Sequence, residues 1–403
     1  MTLSWQAKLA QRARALKPSA IREVSQYARE PGVISFASGS PNPAFFPQEA
    51  VQQALAALIA DPTLRETALQ YGPSEGYPPL RQLIAGRMGC APECILITNG
   101  SQQGLSLIAS LLIEPGDRVI VTEPTYLGAL QAFSLGEPAY EGVPIDGDRL
   151  DTAALERAFA CGAKFMYVMP DFGNPTGMVL PEAQRRRILA LAREHGVPVV
   201  EDQAYDQLRL SGSALPTLFS IDPGCVIHAG TFSKSLAPGL RVGWLAAAPE
   251  VIGTLVLLKQ ASDLHVAMLN QMLVHRVVST QPAAQRDALR TGYRLQRDAM
   301  LAGLERHMPP GATWTRPEGG MFVWLTLPGG LDAQTLLRAA MLEEKVLFVP
   351  GAPFFTDGSG RDTVRLSFSL APPDQIGAGI ERLGRAIRRC LQTNDQTGEM
   401  EWR

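Results

Sequence analysis

One rhythm constrains this chain more than any other feature. Short apolar runs alternate with helical stretches through its middle, and polar residues stand directly after the runs. Cys94–Thr98, Arg118–Thr122, Lys164–Met169, Val197–Glu201, Cys225–Ala229 and Val242–Ala247 read as strands, with helical patterns such as Leu105–Leu112 and Pro181–His195 between them. Apolar strands spaced by helices predict an α/β fold with a doubly wound, mostly parallel sheet. In such a sheet the carboxyl ends of the strands line one edge, where ligands bind. Ser101, Tyr126, Asn174, Asp202 and Lys234 all fall just past strand ends, so that edge is expected to carry the chemistry.

The stretch Thr231–Trp244 sharpens the expectation. It places Lys234 between two serines at the end of an apolar strand, with Arg241 close behind. A lysine delivered by a buried strand is costly unless it is neutral, paired or covalently used. Taken alone, a Ser-Lys-Ser turn is almost as well explained as an ordinary loop. A second turn, Asn99-Gly100-Ser101-Gln102, joins a strand to the apolar helix that follows it. Free amides and the positive end of a helix dipole make such a turn a site for a phosphate. Neither G-x-G-x-x-G nor G-x-x-x-x-G-K-[ST] occurs, so the nucleotide-binding fingerprints are absent.

On either side the pattern changes. Ahead of the alternating region lie a short helix over Ala20–Ala28 with Ser19 as its cap, a strand from Val33 entering a Gly/Pro/Ser loop, and helices over Gln48–Ile59 and Pro79–Gly86. Beyond Pro249 the chain is helical through His307, with a long amphipathic section over Gln285–His307. Strands near Met321–Leu325, Val346–Val349 and Thr363–Ser369, a loop over Pro350–Gly360 and a helix over Pro373–Cys390 then predict a smaller α+β domain. The polar tail from Gln392 is expected to fray. Residues 1–46 read as an arm that joins the small domain and the substrate pocket, 47–283 as the large domain, and 284–403 as the small domain entered by a long linking helix.

Composition excludes several partners. The 403 residues are 46% hydrophobic and 19% charged, with a formal net charge of −2, which offers nothing to nucleic acid or an anionic membrane. Met1–Lys17 lacks the continuous apolar core of a leader or anchor. The five cysteines have neither metal-ligand nor redox spacing, so a metal-free protein of the cytoplasm is expected.

The ordered set Asn174-Pro175-Thr176-Gly177, Asp202, Tyr205, Ser233-Lys234-Ser235, Arg241 and Arg365 resembles the signature of the fold type I pyridoxal-5'-phosphate aminotransferases of class I/II. Ser19–Pro47 together with Gln70-Tyr71-Gly72 is most similar to the subgroup of 2-aminoadipate, kynurenine and multisubstrate aromatic aminotransferases. The resemblance implies an enzyme that moves an α-amino group between an L-amino acid and a 2-oxo acid by a ping-pong mechanism. It makes Lys234 the lysine of the internal aldimine and the proton shuttle, and Asp202 the carboxylate that keeps the ring nitrogen protonated. Asn174 and Tyr205 would donate to the cofactor's phenolate oxygen, and Tyr126 would stack on its ring. Ser101, Gln102, Ser233, possibly Ser235, and Arg241 would hold the phosphate, helped by Tyr71 of the neighbouring subunit in a homodimer. Arg365 would grip the substrate carboxylate, with Gly39 and Asn174 lining the substrate pocket. Arg22 is a candidate for a side-chain carboxylate, with an exposed helical arginine the better-supported reading of the two. Gly173, where the family often has Gln, predicts a locally different pocket. Another outcome on the same cofactor (β-lyase, decarboxylase or oxidase) and a non-catalytic ligand sensor are the alternatives.

Overall fold

The apolar runs turn their side chains alternately to two layers, as the two-residue period of a strand requires. In the computed structural model, which describes residues 4–14, 18, 20–280 and 283–400, Ile95 and Ile97 enter one core while Leu96 enters another. Met166 and Val168 likewise oppose Phe165 and Tyr167. The two cores sandwich one sheet. The strands in chain order are β1 Ile34–Ser35, β2 Ile95–Thr98, β3 Arg118–Glu123, β4 Ala139–Asp146, β5 Arg149–Leu150, β6 Phe165–Val168 and β7 Val199–Asp202. They continue with β8 Val226–Thr231, β9 Gly243–Ala246, β10 Thr313–Trp314, β11 Phe322–Thr326, β12 Val346–Leu347, β13 Val349–Pro350 and β14 Thr363–Ser367.

Eight strands form the main sheet in the order β2-β9-β8-β7-β6-β3-β4-β5. Its centre is parallel, and β9 inserts antiparallel between β2 and β8. The doubly wound, mostly parallel sheet is therefore present. A four-stranded antiparallel sheet, β10-β11-β14-β13, supports a third core that also takes in Ile34, Phe36 and Ala37 of the N-terminal segment. The parallel pair β1-β12 stitches that segment to this smaller body.

Several details depart from the sequence expectations. Strands β4 and β5 and the helix Pro62–Leu69 went unforeseen; in β4 only Val143 is buried, so no apolar run marks it. The helical region after Pro249 is three helices, Pro249–Ser262, Met268–Thr280 and Ala283–His307. The last helix does not fray at Gln392, since helical backbone runs from Pro373 to Met400. The Ser19 cap lies outside the described residues. No helix among the described residues is long and apolar enough to cross a membrane.

Two connections tie the bodies together near the sheet edge. The Thr125 amide donates to the Phe354 carbonyl oxygen at 2.8 Å. The Glu123 carboxylate accepts from the Thr356 amide at 3.0 Å and from the Thr356 hydroxyl.

Candidate active site

Strand ends β2, β3, β6, β7 and β8 converge on a cavity of about 220 Å³. Its walls bring together Gly39, Ser101, Gln102, Tyr126, Asn174, Asp202, Tyr205, Ser233, Lys234, Arg241 and Arg365, eleven of the fourteen site residues expected from the sequence. Ile21, Met169, Ala204, Thr231, Pro238 and Phe322 complete the lining. Tyr71 is not among the walls. Tyr71 is 78% exposed, its ring edge-on to His265 at 5.7 Å. Arg22 belongs to the helix Ala20–Ser25, whose Ile21 faces the cavity, but its side chain lies outside the described residues.

Strand β8 carries the chain to Lys234. Its Nζ donates to the Gly39 carbonyl oxygen at 2.9 Å. Burial, with Arg365 and Arg241 adding repulsion, lowers the lysine pKa to about 8. An amine so tuned is partly neutral near physiological pH, as a nucleophile or base must be.

Asp202 ends β7, and its pKa is raised to about 6 by burial. Oδ2 accepts from the Tyr167 hydroxyl at 2.9 Å. Oδ1 is buried without a hydrogen bond of ordinary geometry among the described residues, although the Ala204 backbone amide lies close enough to favour the charged carboxylate. An orphaned carboxylate oxygen inside a protein costs free energy and points to a missing donor. Tyr167 shares the face because it pairs in register with Val200, two residues before Asp202. Sequence reasoning missed this tyrosine; its place in the apolar run Phe165–Val168 made it look like core, although strand parity could have found it.

The phosphate-type end is built from backbone. Gly100, at φ 76°, turns the chain into the helix Ser101–Leu112, whose first amides face the cavity end. A Cβ on Gly100 would stand 2.4 Å from Arg241 Nη2, so glycine is what lets the guanidinium lie against the turn. Arg241 Nη2 donates to the Asn99 carbonyl oxygen at 3.0 Å and Nη1 to that of Pro238 at 3.2 Å. Ser233 Oγ accepts from Thr231 Oγ1 at 2.9 Å, and the Gln102 side chain donates through Nε2 to the Gly128 carbonyl oxygen at 2.7 Å. Ser235 does not join this group: it lines a separate cavity with His228, Leu236 and Trp244.

At the opposite end Arg365, fully buried on β14, donates to Asn174 Oδ1 at 3.0 Å and to the Ala37 carbonyl oxygen. Its guanidinium lies 4.5 Å from the Phe322 ring centre and 5.4 Å from that of Phe354, and its Nε has no hydrogen-bond partner among the described residues. Burial brings its pKa down to about 10, still cationic at neutral pH. Tyr205 stands next to Asn174, and burial raises its pKa, as it raises that of Tyr126 to about 12, so both phenols remain protonated donors. Gly173 approaches Met169 closely; a Cβ there would lie 3.0 Å from the Met169 carbonyl oxygen, so a larger residue would displace a cavity wall.

The arrangement suits a ligand with a phosphate at one end, a protonated ring nitrogen for Asp202 Oδ1 and an electrophilic carbon within reach of Lys234. Residues 31–383 match the family model "Aminotransferase class I and II". The chain is 43% identical to the 2-aminoadipate transaminase of Thermus thermophilus, over 96% of this chain and 98% of that one. It is 38% identical to aromatic-amino-acid aminotransferase 1 of Thermococcus litoralis, over 97% and 96%. Among solved structures, that of the α-aminoadipate aminotransferase of Thermus thermophilus, complexed with N-(5'-phosphopyridoxyl)-L-leucine, superposes with a TM-score of 0.91 at 42% identity, covering 97% of this chain and all of that one.

Proposed function

The chain belongs to the class I and II aminotransferases and is a pyridoxal-phosphate-dependent aminotransferase, and we propose that Lys234 is the residue to which its cofactor is bonded. The observation that carries this is the pairing of Lys234 with the unpartnered Oδ1 of Asp202 in one cavity, with the Gly100 turn and Arg241 at its far end. Pyridoxal phosphate, when bound, supplies a conjugated ring that draws electron density from the substrate's Cα.

The chain's own residues do the rest. Asp202 Oδ1 takes the ring N–H that its buried position lacks. Ser101, Gln102, Ser233 and Arg241 hold the phosphate, while Asn174 and Tyr205 donate to the ring oxygen and Tyr126 covers a ring face. Arg365 presents two parallel N–H groups to the substrate carboxylate, a fit that a lysine cannot reproduce. Lys234 Nζ would accept the proton from the substrate's Cα and return it two atoms away, completing a 1,3-shift. Borohydride reduction of the holoenzyme followed by peptide mass spectrometry should find the phosphopyridoxyl mass on Lys234; finding it elsewhere would refute the assignment.

Substrate choice follows from the relatives and the walls. 2-Aminoadipate is the proposed preferred donor, since the 43%-identical relative is named for it and the helix bearing Arg22 borders the cavity through Ile21. Met169 and Phe322 give apolar side chains a second way to bind. A homodimer is proposed on the exposed apolar side chains Leu55, Ile59, Leu69 and Tyr71, which cluster along one stretch of chain and would be covered by a second copy. In that assembly Tyr71 reaches the partner's phosphate site. The division at residues 46 and 283 is kept as part of this reading, the arm and the last third building the substrate end, and the cytoplasm as the place of action.

A further inference from the structure

Lys259 lies in the helix Pro249–Ser262 with no exposed surface. Its Nζ donates to Gln103 Oε1 at 3.0 Å and to Asp263 Oδ1 at 2.7 Å. Gln103 Nε2 in turn donates to Asp263 Oδ2 at 2.6 Å, which closes a ring of three side chains. Burial lowers the lysine's pKa and Asp263 opposes the shift, so the ammonium is kept by its carboxylate.

The ring does not end on side chains. Gln103 Oε1 also accepts from the Asn99 backbone amide at 2.7 Å, and the Asn99 carbonyl oxygen is the acceptor for Arg241. With its oxygen taking two donors and its nitrogen fixed on Asp263, the Gln103 amide has one orientation open to it. A lysine that served only to join helices would need no route to a turn's backbone. A second branch leaves the same residue: the amides of Asp263 and Leu264 donate to the Lys259 carbonyl oxygen at 3.0 and 3.1 Å. They end the helix so that His265 meets Tyr71.

We propose that Lys259 is a positioning residue for the phosphate end of the cofactor site, acting through Gln103 on the Asn99–Gly100 turn. The inference rests on the reading that this turn holds the phosphate. Through Gln103, Lys259 fixes the turn's first amide, the turn aims the amides of Ser101 and Gln102, and Arg241 is braced on the carbonyl of the same residue, Asn99. The ring nitrogen and lysine ends of the site are untouched by it, and this separates the role from general support of the fold.

The test compares two ligands that differ only in the phosphate. Full-length apoenzyme is titrated with pyridoxal phosphate and with pyridoxal, followed by absorbance. Lys259→Met is expected to weaken pyridoxal phosphate at least tenfold and pyridoxal by no more than twofold. Equal losses for both ligands, or none for either, would overturn the proposal. Arg241→Gln is run beside it. If that variant binds pyridoxal phosphate as the wild type does, the phosphate reading itself fails and this inference with it; if it loses affinity while Lys259→Met does not, only the inference fails. Should Lys259→Met not fold, Lys259→Met/Asp263→Leu removes both charges and carries the same expectation, since replacing a buried ion pair by apolar residues is often tolerated.

Discussion

The two ends of the cavity are built on different terms. The cofactor end hangs on parallel strand termini: Asp202, Lys234, Asn174 and the Gly100 turn each follow a strand or open a helix, and their donors are backbone amides and short side chains. The substrate end is assembled from distant chain segments, with Arg365 on an antiparallel strand, Gly39 and Ala37 from the arm, and aromatic rings on either side. A strand terminus sets its first few residues without help. An arginine clamped between two rings and a remote carbonyl depends on everything around it. Changes at the first end should therefore act on chemistry and cofactor retention, and changes at the second on the choice and grip of substrate.

The largest effect that could break this contrast is at Lys234. Lys234→Ala should lower turnover by at least about 10²- to 10⁴-fold, the usual worth of a positioned proton carrier. Steady-state assays on protein made free of wild type would show it, and near-normal turnover would remove the lysine from the mechanism. Next comes Arg365→Lys, which should raise KM for amino and oxo acids alike by roughly ten- to a hundredfold, the worth of a charge-assisted hydrogen bond, while the visible absorbance of the holoenzyme stays the same. A changed spectrum with unchanged KM would reverse the assignment of the two ends.

A smaller effect concerns stability without cofactor. Asp202 keeps a proton up to about pH 6 in the folded protein, whereas the unfolded chain loses it near 3.8. The fold therefore loses stability as pH rises between those values and carries the full cost above them. Lys234 works in the other direction: below about pH 8 its charge is strained, and stability returns as pH rises from 8 towards 10.5. Between pH 6 and 8 both costs coincide. Asp202→Asn should then stabilise the apoprotein at pH 7 by about 1–3 kcal/mol and do nothing below pH 4, as thermal unfolding at the two pH values would show. Equal effects at both would mean that the carboxyl is not strained. The smallest expected effect is selective: Arg22→Ala should slow 2-aminoadipate and glutamate several-fold and spare leucine and phenylalanine, and indifference across the four would discard the acidic preference.

The same contrast explains what the amino-acid sequence revealed. Gly100, Asp202 and Lys234 were legible because each follows the end of an apolar run within a few residues, and strand ends converge by topology alone. Ser235 shows the limit of that logic: one residue beyond Lys234 the side chain turns into another cavity, which no spacing rule indicates. Tyr167 and Lys259 were hidden because each sits in an apolar stretch and acts across to another element. Strand β4 escaped notice because it lies next to the sheet edge, flanked outside only by the two-residue β5, and so needs no apolar pattern. The walls contributed by Ile21, Met169 and Phe322 depend on how the smaller body packs against the sheet, a relation that local chain patterns do not encode.

The bonds from Thr125 to Phe354 and from Thr356 to Glu123 bear on the geometry of the site. They fasten the loop beside Arg365 to the strand end that presents Tyr126. Separating the two bodies along this edge would break these three hydrogen bonds, each worth about 1 kcal/mol net, in addition to those that join Thr315 to Thr176 and Leu210 to Glu318 elsewhere. The strand end that bears Tyr126 and the loop beside Arg365 are thereby held in one spatial relation, so the two ends of the cavity share a common fixed point.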